Sequence, residues 1–186
     1  MQDSFKQTFD NVTVDELRST EYEQCTFLNC DFSNANLSNV KLIDCEMRNC
    51  GLSLVNLGGA ILNNVTFLQC KMLGLRFDLC NQFTLSFTFD NCVLNDSSFF
   101  KCKLKKIRFK NSQLHHADFA QCDLTEALFD HCDLKDTIFD NTILHKADLR
   151  TAFNYSINPE INQIKKAKFS MSGLKGLLEK YDIVVD

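Results

Sequence analysis

The sequence predicts an all-β fold, a solenoid of short stacked coils closed by a small C-terminal module. Three observations lead to this prediction. A five-residue repeat runs through most of the chain, cysteines recur at multiples of that repeat, and the repeat decays after Leu149, where an amphipathic segment follows. Self-similarity at a fixed period is the sequence signature of repeat architectures.

The repeat is clearest between Ser112 and Leu149. A small residue opens each unit and a large apolar residue follows two positions later, as in Ala117 with Phe119. This period fits neither the helical turn of about 3.6 residues nor the alternation of a plain strand. Residues two apart in extended backbone point the same way, so both can face one core while the remaining three residues turn the chain. Stacked units of this kind form a β-solenoid.

The fullest units carry Asp between the small and the large residue: Ala117-Asp118-Phe119, Cys122-Asp123-Leu124, Cys132-Asp133-Leu134 and Ala147-Asp148-Leu149. These units resemble the signature of the pentapeptide-repeat family. The resemblance implies a right-handed quadrilateral β-helix with four pentapeptides per coil. Cysteine pairs that lie 20 residues apart, such as Cys25 with Cys45 and Cys102 with Cys122, agree with a coil of that length.

The repeat divides the chain into three parts. Residues 1–11 are predicted as an N-terminal lead-in or cap, residues 12–149 as the pentapeptide-repeat β-helix, and residues 150–186 as a C-terminal loop, helix and strand module. The register breaks within 78–93, where about two extra residues enter, and we expect a bulge or small projecting loop there. Such a loop is either a tolerated insertion or a binding element, since projecting loops often carry binding residues.

The ten cysteines all occupy the small, inward position of the repeat, and none forms a CxxC pair. Reduced cysteine behaves as a small apolar residue, so we predict core thiols, with neither disulfides nor a metal site. No apolar run reaches the roughly 18 residues of a membrane span. The N terminus also lacks the basic start and apolar run of a signal peptide. We therefore expect a cytoplasmic protein without membrane contact.

No catalytic constellation accompanies the repeat. The histidines occupy outward corner positions without the spacing of metal ligands: His115, His116, His131 and His145. The sequence contains no phosphate-binding glycine loop, nucleophile elbow or HExxH motif. We therefore expect a protein that is not an enzyme, with no catalytic residues, no cofactor and no small-molecule substrate.

The C-terminal segment is predicted to form a short amphipathic helix followed by a strand. Ser170 can cap the helix, and the apolar residues after it fall on one face. The segment 164–186 resembles the C-terminal module of the quinolone-resistance pentapeptide proteins, the Qnr and MfpA group, in which a helix and strand cap the solenoid and join two chains tail to tail. The residues expected to form this homodimer are Leu174, Leu177, Leu178, Tyr181, Ile183 and Val184.

Charge changes sign along the repeat. Residues 101–111 sum to +6 and residues 112–149 to −6, in a chain with a net charge of −4. The basic band is narrow and has little aromatic interleaving, so we expect no direct nucleic-acid binding. The acidic run is the candidate partner-binding surface, and its residues are Asp118, Asp123, Glu126, Asp130, Asp133, Asp136 and Asp140.

The resemblance to the Qnr group implies a function for such an acidic surface. Rods of that group imitate duplex DNA in size and charge, and they bind DNA gyrase or topoisomerase IV. A negative rod could enter a basic DNA-binding saddle through long-range attraction. We therefore expect a DNA mimic that modulates these enzymes or protects them from quinolone-type poisoning. The alternative is a pentapeptide-repeat scaffold with an unrelated protein partner, because fold does not imply function.

Overall fold

Short parallel strands build most of the molecule in a computed structural model, which describes residues 3–184. The strands are β1 (Ser4–Phe5), β2 (Thr8–Asp10), β3 (Glu21–Glu23), β4 (Thr26–Leu28), β5 (Lys41–Ile43), β6 (Glu46–Arg48), β7 (Ile61–Asn63), β8 (Val65–Leu68), β9 (Phe87–Asp90), β10 (Arg108–Lys110) and β11 (Leu128–Asp130). They form a four-stranded sheet, β1-β3-β5-β7, and a seven-stranded sheet, β11-β10-β9-β8-β6-β4-β2. The predicted all-β solenoid is confirmed.

Each coil has four sides, because β-bridges connect it to the next coil at four places. In one coil these bridges are Gln113↔Asp133, Asp118↔Ile138, Asp123↔Ile143 and Leu128↔Asp148, each spanning 20 residues. We number the sides by the large central residues of that coil: side 1 (Leu114), side 2 (Phe119), side 3 (Leu124) and side 4 (Phe129). The four-stranded sheet lies on side 3 and the seven-stranded sheet on side 4.

Phenylalanine rings form two stacked columns inside the solenoid. On side 4, Phe89, Phe109 and Phe129 follow one another at ring-centroid distances of 5.3 and 5.1 Å. On side 2, Phe99 stacks on Phe119 at 4.7 Å. Edge-to-face contacts join the two columns, as between Phe109 and Phe119. The large residue of each pentapeptide therefore packs both along the axis and across the core.

The corners between sides place one residue of most pentapeptides in the left-handed region. Asn29 and Asn49 both have φ of 52°, and asparagine tolerates this conformation better than most residues. The Asn49 side-chain amide also donates to Asn29 Oδ1 at 2.8 Å. Corner side chains therefore point outward and lie in register from coil to coil.

The register break predicted within 78–93 is confirmed. On side 4, Val65 pairs with Phe87, 22 residues away, where a regular coil would span 20. The extra residues are accommodated on side 3, in a bulge at 81–86 that follows the 3₁₀-helix Phe77–Leu79. Backbone hydrogen bonds at both ends hold this bulge on the preceding coil. The bulge leaves the pairing on side 4 intact.

The first coil is shorter than the others, which the sequence analysis did not predict. Ser4 pairs with Tyr22 and Phe9 with Phe27, so this coil spans 18 residues. The shortening falls near the 3₁₀-helix Val14–Glu16. The segment 1–11 thus contributes β1 and β2, the first strands of both sheets.

The solenoid continues beyond Leu149, within the stretch predicted as a loop. Bridges join Asp133 to Phe153, Ile143 to Gln163 and Asp148 to Lys168. The large buried residues of this last coil include Tyr155 and Ile157. Although the pentapeptide pattern has decayed, the coils remain paired. Buried side chains and backbone hydrogen bonds therefore stabilise this last coil.

The chain ends in one helical turn, α1 (Lys175–Leu178), followed by the 3₁₀-helix Glu179–Tyr181. The predicted terminal strand is wrong for Ile183 and Val184, which form no strand, and Val185 lies outside the described residues. A strand needs a neighbouring strand for its backbone groups, and residues 3–184 supply none there. Across the same residues, no helix is long and apolar enough to cross a membrane.

All ten cysteines are buried and free, as predicted for core thiols. They line the interior at the small position of the repeat, where their sulfur atoms approach backbone carbonyls of adjacent coils, as Cys45 approaches Tyr22 O at 3.2 Å. Burial raises the pKa of the Cys102 and Cys132 thiols to about 12. Because the thiolate is the reactive form and needs access to a reagent, we expect buried thiols of this kind to react slowly in the folded chain.

Thiol titration tests this arrangement. At pH 8 we expect a disulfide reagent such as dithiobis-nitrobenzoate to modify fewer than about one thiol per native chain, because the thiolate is the reactive form and needs access to the reagent. After unfolding in guanidinium chloride, all ten thiols should react. Rapid reaction of several thiols in the native protein would contradict the inward assignment.

Candidate protein-binding surfaces

The outward side chains come from three positions of each pentapeptide: the residues before and after the large central one, and the corner residue. Coils pair in register, as Arg108 with Leu128 and Lys110 with Asp130. Charged residues 20 apart in sequence are therefore neighbours on one side. The charge of each side therefore depends on residues that are 20 apart in the sequence, and not on runs of charge along the chain.

The part of the chain that the structure describes offers no metal site, since no group of three or more His, Cys, Asp or Glu side chains is placed to hold an ion. Three histidines instead lie beside single carboxylates on the surface: His115 by Asp133, His116 by Asp136 and His131 by Asp130. The outward charged and apolar side chains are the candidate sites for a partner.

The seven predicted acidic residues lie on all four sides. Asp133 and Asp136 lie on side 1, Asp118 and Asp140 on side 2, Asp123 and Glu126 on side 3, and Asp130 on side 4. The fold does not gather them into one column. Four of the seven share the adjacent sides 1 and 2.

The two acids on side 3 are compensated by lysines of neighbouring coils. Asp123 Oδ2 lies 3.3 Å from Lys105 Nζ. Glu126 lies between Lys106, at 3.9 Å, and Lys146, at 2.9 Å. Burial alone would raise the pKa of Asp123, but hydrogen bonds to its carboxylate outweigh burial and hold this pKa below its usual value. Both acids contribute little net negative potential.

On side 1, Asp133 is tied into the solenoid. Its carboxylate lies 2.8 Å from His115 Nε2 and accepts a hydrogen bond of 2.8 Å from Asn154 Nδ2. Burial alone would raise the pKa of Asp133, yet these two contacts hold it below its usual value. Asp136, at the corner of the same side, is exposed and lies 4.0 Å from His116. Of the two acids, Asp136 is the more accessible to a partner.

Side 2 carries the least compensated acids. Asp118 Oδ1 accepts a hydrogen bond from the backbone N–H of Ala120 at 2.8 Å, and Asp140 Oδ1 accepts one from Asn141 Nδ2 at 2.9 Å. Within residues 3–184, neither acid forms an ion pair. Together with Asp136 they form the acidic surface, a name kept below for Asp118, Asp136 and Asp140.

The bulge on side 3 presents an apolar side chain that the sequence analysis did not single out. Phe83 is 99% exposed. The bulge is held by Gln82, whose side-chain amide donates to the carbonyl oxygens of Phe77 and Cys80 at 3.1 and 2.9 Å. The first frame of the repeat puts Phe83 directly after the centre expected at position 82, but the register breaks there, so the pattern does not fix the orientation of this side chain.

The residues predicted to form the homodimer differ in exposure. Leu177 and Leu178 are half-buried, whereas Leu174, Tyr181, Ile183 and Val184 are exposed. The Tyr181 hydroxyl donates to Glu160 Oε1 at 2.8 Å. The end of the solenoid thus carries an apolar, solvent-facing group of side chains around α1.

The docking of α1 depends on a glycine. Gly176 is buried, and its carbonyl oxygen accepts a hydrogen bond of 2.9 Å from Ile157 N. A Cβ atom at this position would lie 2.1 Å from Tyr155 O. Only glycine lets the two backbones approach so closely.

Comparisons with known proteins agree with this geometry. The family model of the pentapeptide repeat region matches residues 20–88 and 82–149. The chain is similar to two solved, trypsin-treated forms of QnrB1, a plasmid-mediated fluoroquinolone resistance protein. The TM-scores are 0.76 and 0.64, with 16% and 18% identity, over 100% of this chain and 92% and 100% of theirs. No curated protein matches by sequence.

Proposed function

The chain belongs to the pentapeptide-repeat family, and from that premise we propose that it is a non-enzymatic DNA mimic that binds DNA gyrase or topoisomerase IV and protects the enzyme from quinolone-type poisoning. The observation that carries the proposal is the similarity in fold to QnrB1, which extends over the whole chain. The proposal places the protein in the cytoplasm, with these enzymes.

The acidic surface supplies the physical basis for this binding. Asp118 and Asp140 lie on side 2 without ion pairs in the described chain, and Asp136 lies at the neighbouring corner. The potential of such a surface complements that of a basic DNA-binding groove, which speeds association and selects the orientation. Asp123 and Glu126 are weaker candidates for contact, because lysines already compensate them.

A tail-to-tail homodimer would lengthen the rod and double the acidic surface. The exposed apolar side chains around α1, among them Leu174 and Ile183, support this arrangement. An isologous contact buries the same patch on both subunits. Sedimentation analysis of the wild-type chain and of a Leu174→Asp variant would test whether this end forms the dimer.

The decisive experiment is DNA supercoiling by purified gyrase in the presence of ciprofloxacin, titrated with this protein. Restored supercoiling at near-stoichiometric protein would support protection. No effect with gyrases and topoisomerase IV from several sources, under conditions where the protein is folded, would favour the scaffold alternative.

Charge reversal locates the contact. In the double variant Asp136→Lys and Asp140→Lys we expect the concentration for half-maximal protection to rise about tenfold or more, since like charges across an interface cost several kcal/mol. The matched control is Asp3→Lys with Asp15→Lys, which makes the same change of charge at exposed acids near the N terminus. Equal loss in both variants would show that net charge, and not the acidic surface, governs binding.

A further inference from the structure

Side 3 of the last coils gathers lysines that are far apart in sequence. Bridges Lys103↔Asp123, Asp123↔Ile143 and Ile143↔Gln163 stack three successive coil steps on this side. The lysines that project from it, all exposed, form what we call the basic face: Lys103, Lys105, Lys106, Lys146, Lys165 and Lys166. The fold thus brings Lys103, Lys105 and Lys106 of the basic band next to Lys146, Lys165 and Lys166 of later coils.

The basic face keeps a clear positive surplus. Its six lysines face two carboxylates, Asp123 and Glu126, which leaves four positive charges uncompensated. In the described chain, Lys103, Lys165 and Lys166 form no ion pair. The uncompensated acids Asp118, Asp136 and Asp140 lie on sides 1 and 2, away from these lysines.

The basic face extends along the axis of the solenoid, with Glu126 as the one acid in its corner column. Lys106, Glu126, Lys146 and Lys166 occupy the same corner on successive coils, in register. Strand spacing of about 4.8 Å makes this column roughly 14 Å long. Lysine acts as a mobile point charge that contacts phosphates without reading bases.

The surroundings of the basic face favour phosphates over a folded protein partner. The outward residues between its lysines are mostly polar, including Thr125, His145 and Gln163, with the half-buried Ile143 among them. The exposed Phe83 lies on the same side, in the bulge one coil before Lys103. Protein interfaces obtain most of their affinity from buried aromatic and apolar anchors. A nucleic-acid backbone needs only positive charge, because binding is driven by counterion release.

We propose that the basic face binds the phosphate backbone of duplex DNA without sequence preference. The inference is independent of topoisomerase binding, because the acidic and basic faces are different sides of the solenoid. The sequence led us to expect no direct nucleic-acid contact, because the basic band at 101–110 is narrow. In the structure, lysines of the last coils widen the positive surface on side 3.

The test is fluorescence anisotropy of a labelled 20-base-pair duplex, titrated with the full chain alone in salt from about 50 to 200 mM. With about four phosphates contacted, log K should fall against log salt with a slope of roughly −3.6. No binding at 50 mM salt would overturn the proposal.

Two variants distinguish the basic face from general charge effects. Lys103→Ala with Lys165→Ala removes two lysines that form no ion pair in the described chain and lie outside the left-handed corners. We expect affinity at 50 mM salt to drop roughly tenfold and the slope to become shallower by about two. The control, Lys71→Ala with Lys135→Ala, removes two exposed lysines from side 1 and should leave both values unchanged.

The outcomes separate the sources of binding. Equal loss in the control would show that binding follows net charge, which contradicts a specific face. Stronger binding of polyglutamate than of DNA, lost in the same variant, would assign the face to an acidic protein segment and overturn the DNA proposal. Failure of DNA binding alongside active gyrase protection would leave the proposed function standing.

Discussion

Phe119→Ala should lower the free energy of unfolding by about 3–5 kcal/mol, as other large-to-small changes in close-packed cores do. Phe119 is fully buried, and its ring stacks on Phe99 at 4.7 Å and on Phe139 at 5.6 Å. Phe109 and Phe129 contact it edge-on from side 4. Removing the ring opens a cavity that the stacked coils cannot close without breaking their register.

Guanidinium unfolding followed by circular dichroism would measure this loss. Phe83→Ala is the matched control, because it deletes the same atoms from a ring that is 99% exposed. We expect the control to change the free energy of unfolding by no more than about 0.5 kcal/mol. Similar values for the two variants would show that the assignment of inward and outward phenylalanines is wrong.

Gly176→Ala should undock α1 from the last coil. The new methyl group would lie 2.1 Å from Tyr155 O, a backbone atom that cannot rotate away. The hydrogen bond from Ile157 N to Gly176 O would be lost with the contact. We expect a cost of about 1–3 kcal/mol, as for overpacking in well-packed sites, confined to the C-terminal module.

Hydrogen exchange with mass spectrometry would show the effect as faster exchange in segments covering 153–181, with the central coils unchanged. Gly58→Ala is the control, since the nearest atom to its Cβ is a side-chain oxygen, Asn56 Oδ1, at 3.2 Å. Unchanged exchange in the Gly176→Ala variant would mean that α1 does not pack on the coil as described.

The inward half of this structure could be predicted from the sequence because one rule governs it. A small residue and a large one, two positions apart, face the core in every regular coil, and Cys122 and Leu124 are both fully buried as the rule requires. The same rule predicted the register break, because an insertion of two residues shifts every later large central residue by two positions. Periodicity is informative wherever packing constrains residue size.

The outward half follows weaker rules. Lysine and aspartate are equally acceptable on a corner, so the repeat does not indicate which charges meet. Pairs such as Lys146 with Glu126 appear only once coils are placed in register. The coil after Leu149 was missed because Tyr155 and Ile157 fill the core without the pentapeptide pattern, and the short first coil because its repeats are weak.

The bulge on side 3 also bears on how the rod would come apart. A solenoid coil contacts only its neighbours, so cooperativity depends on the weakest junction. Across residues 3–184, side 3 has no β-bridge between the strand Ile61–Asn63 and Lys103, and side 2 has none between Asn56 and Arg76, while sides 1 and 4 stay paired through this region. We expect this weakly paired junction to divide the rod into two cooperative units of different stability. Fraying that starts at the N-terminal end would stop at the bulge and leave the coils with both charged surfaces folded.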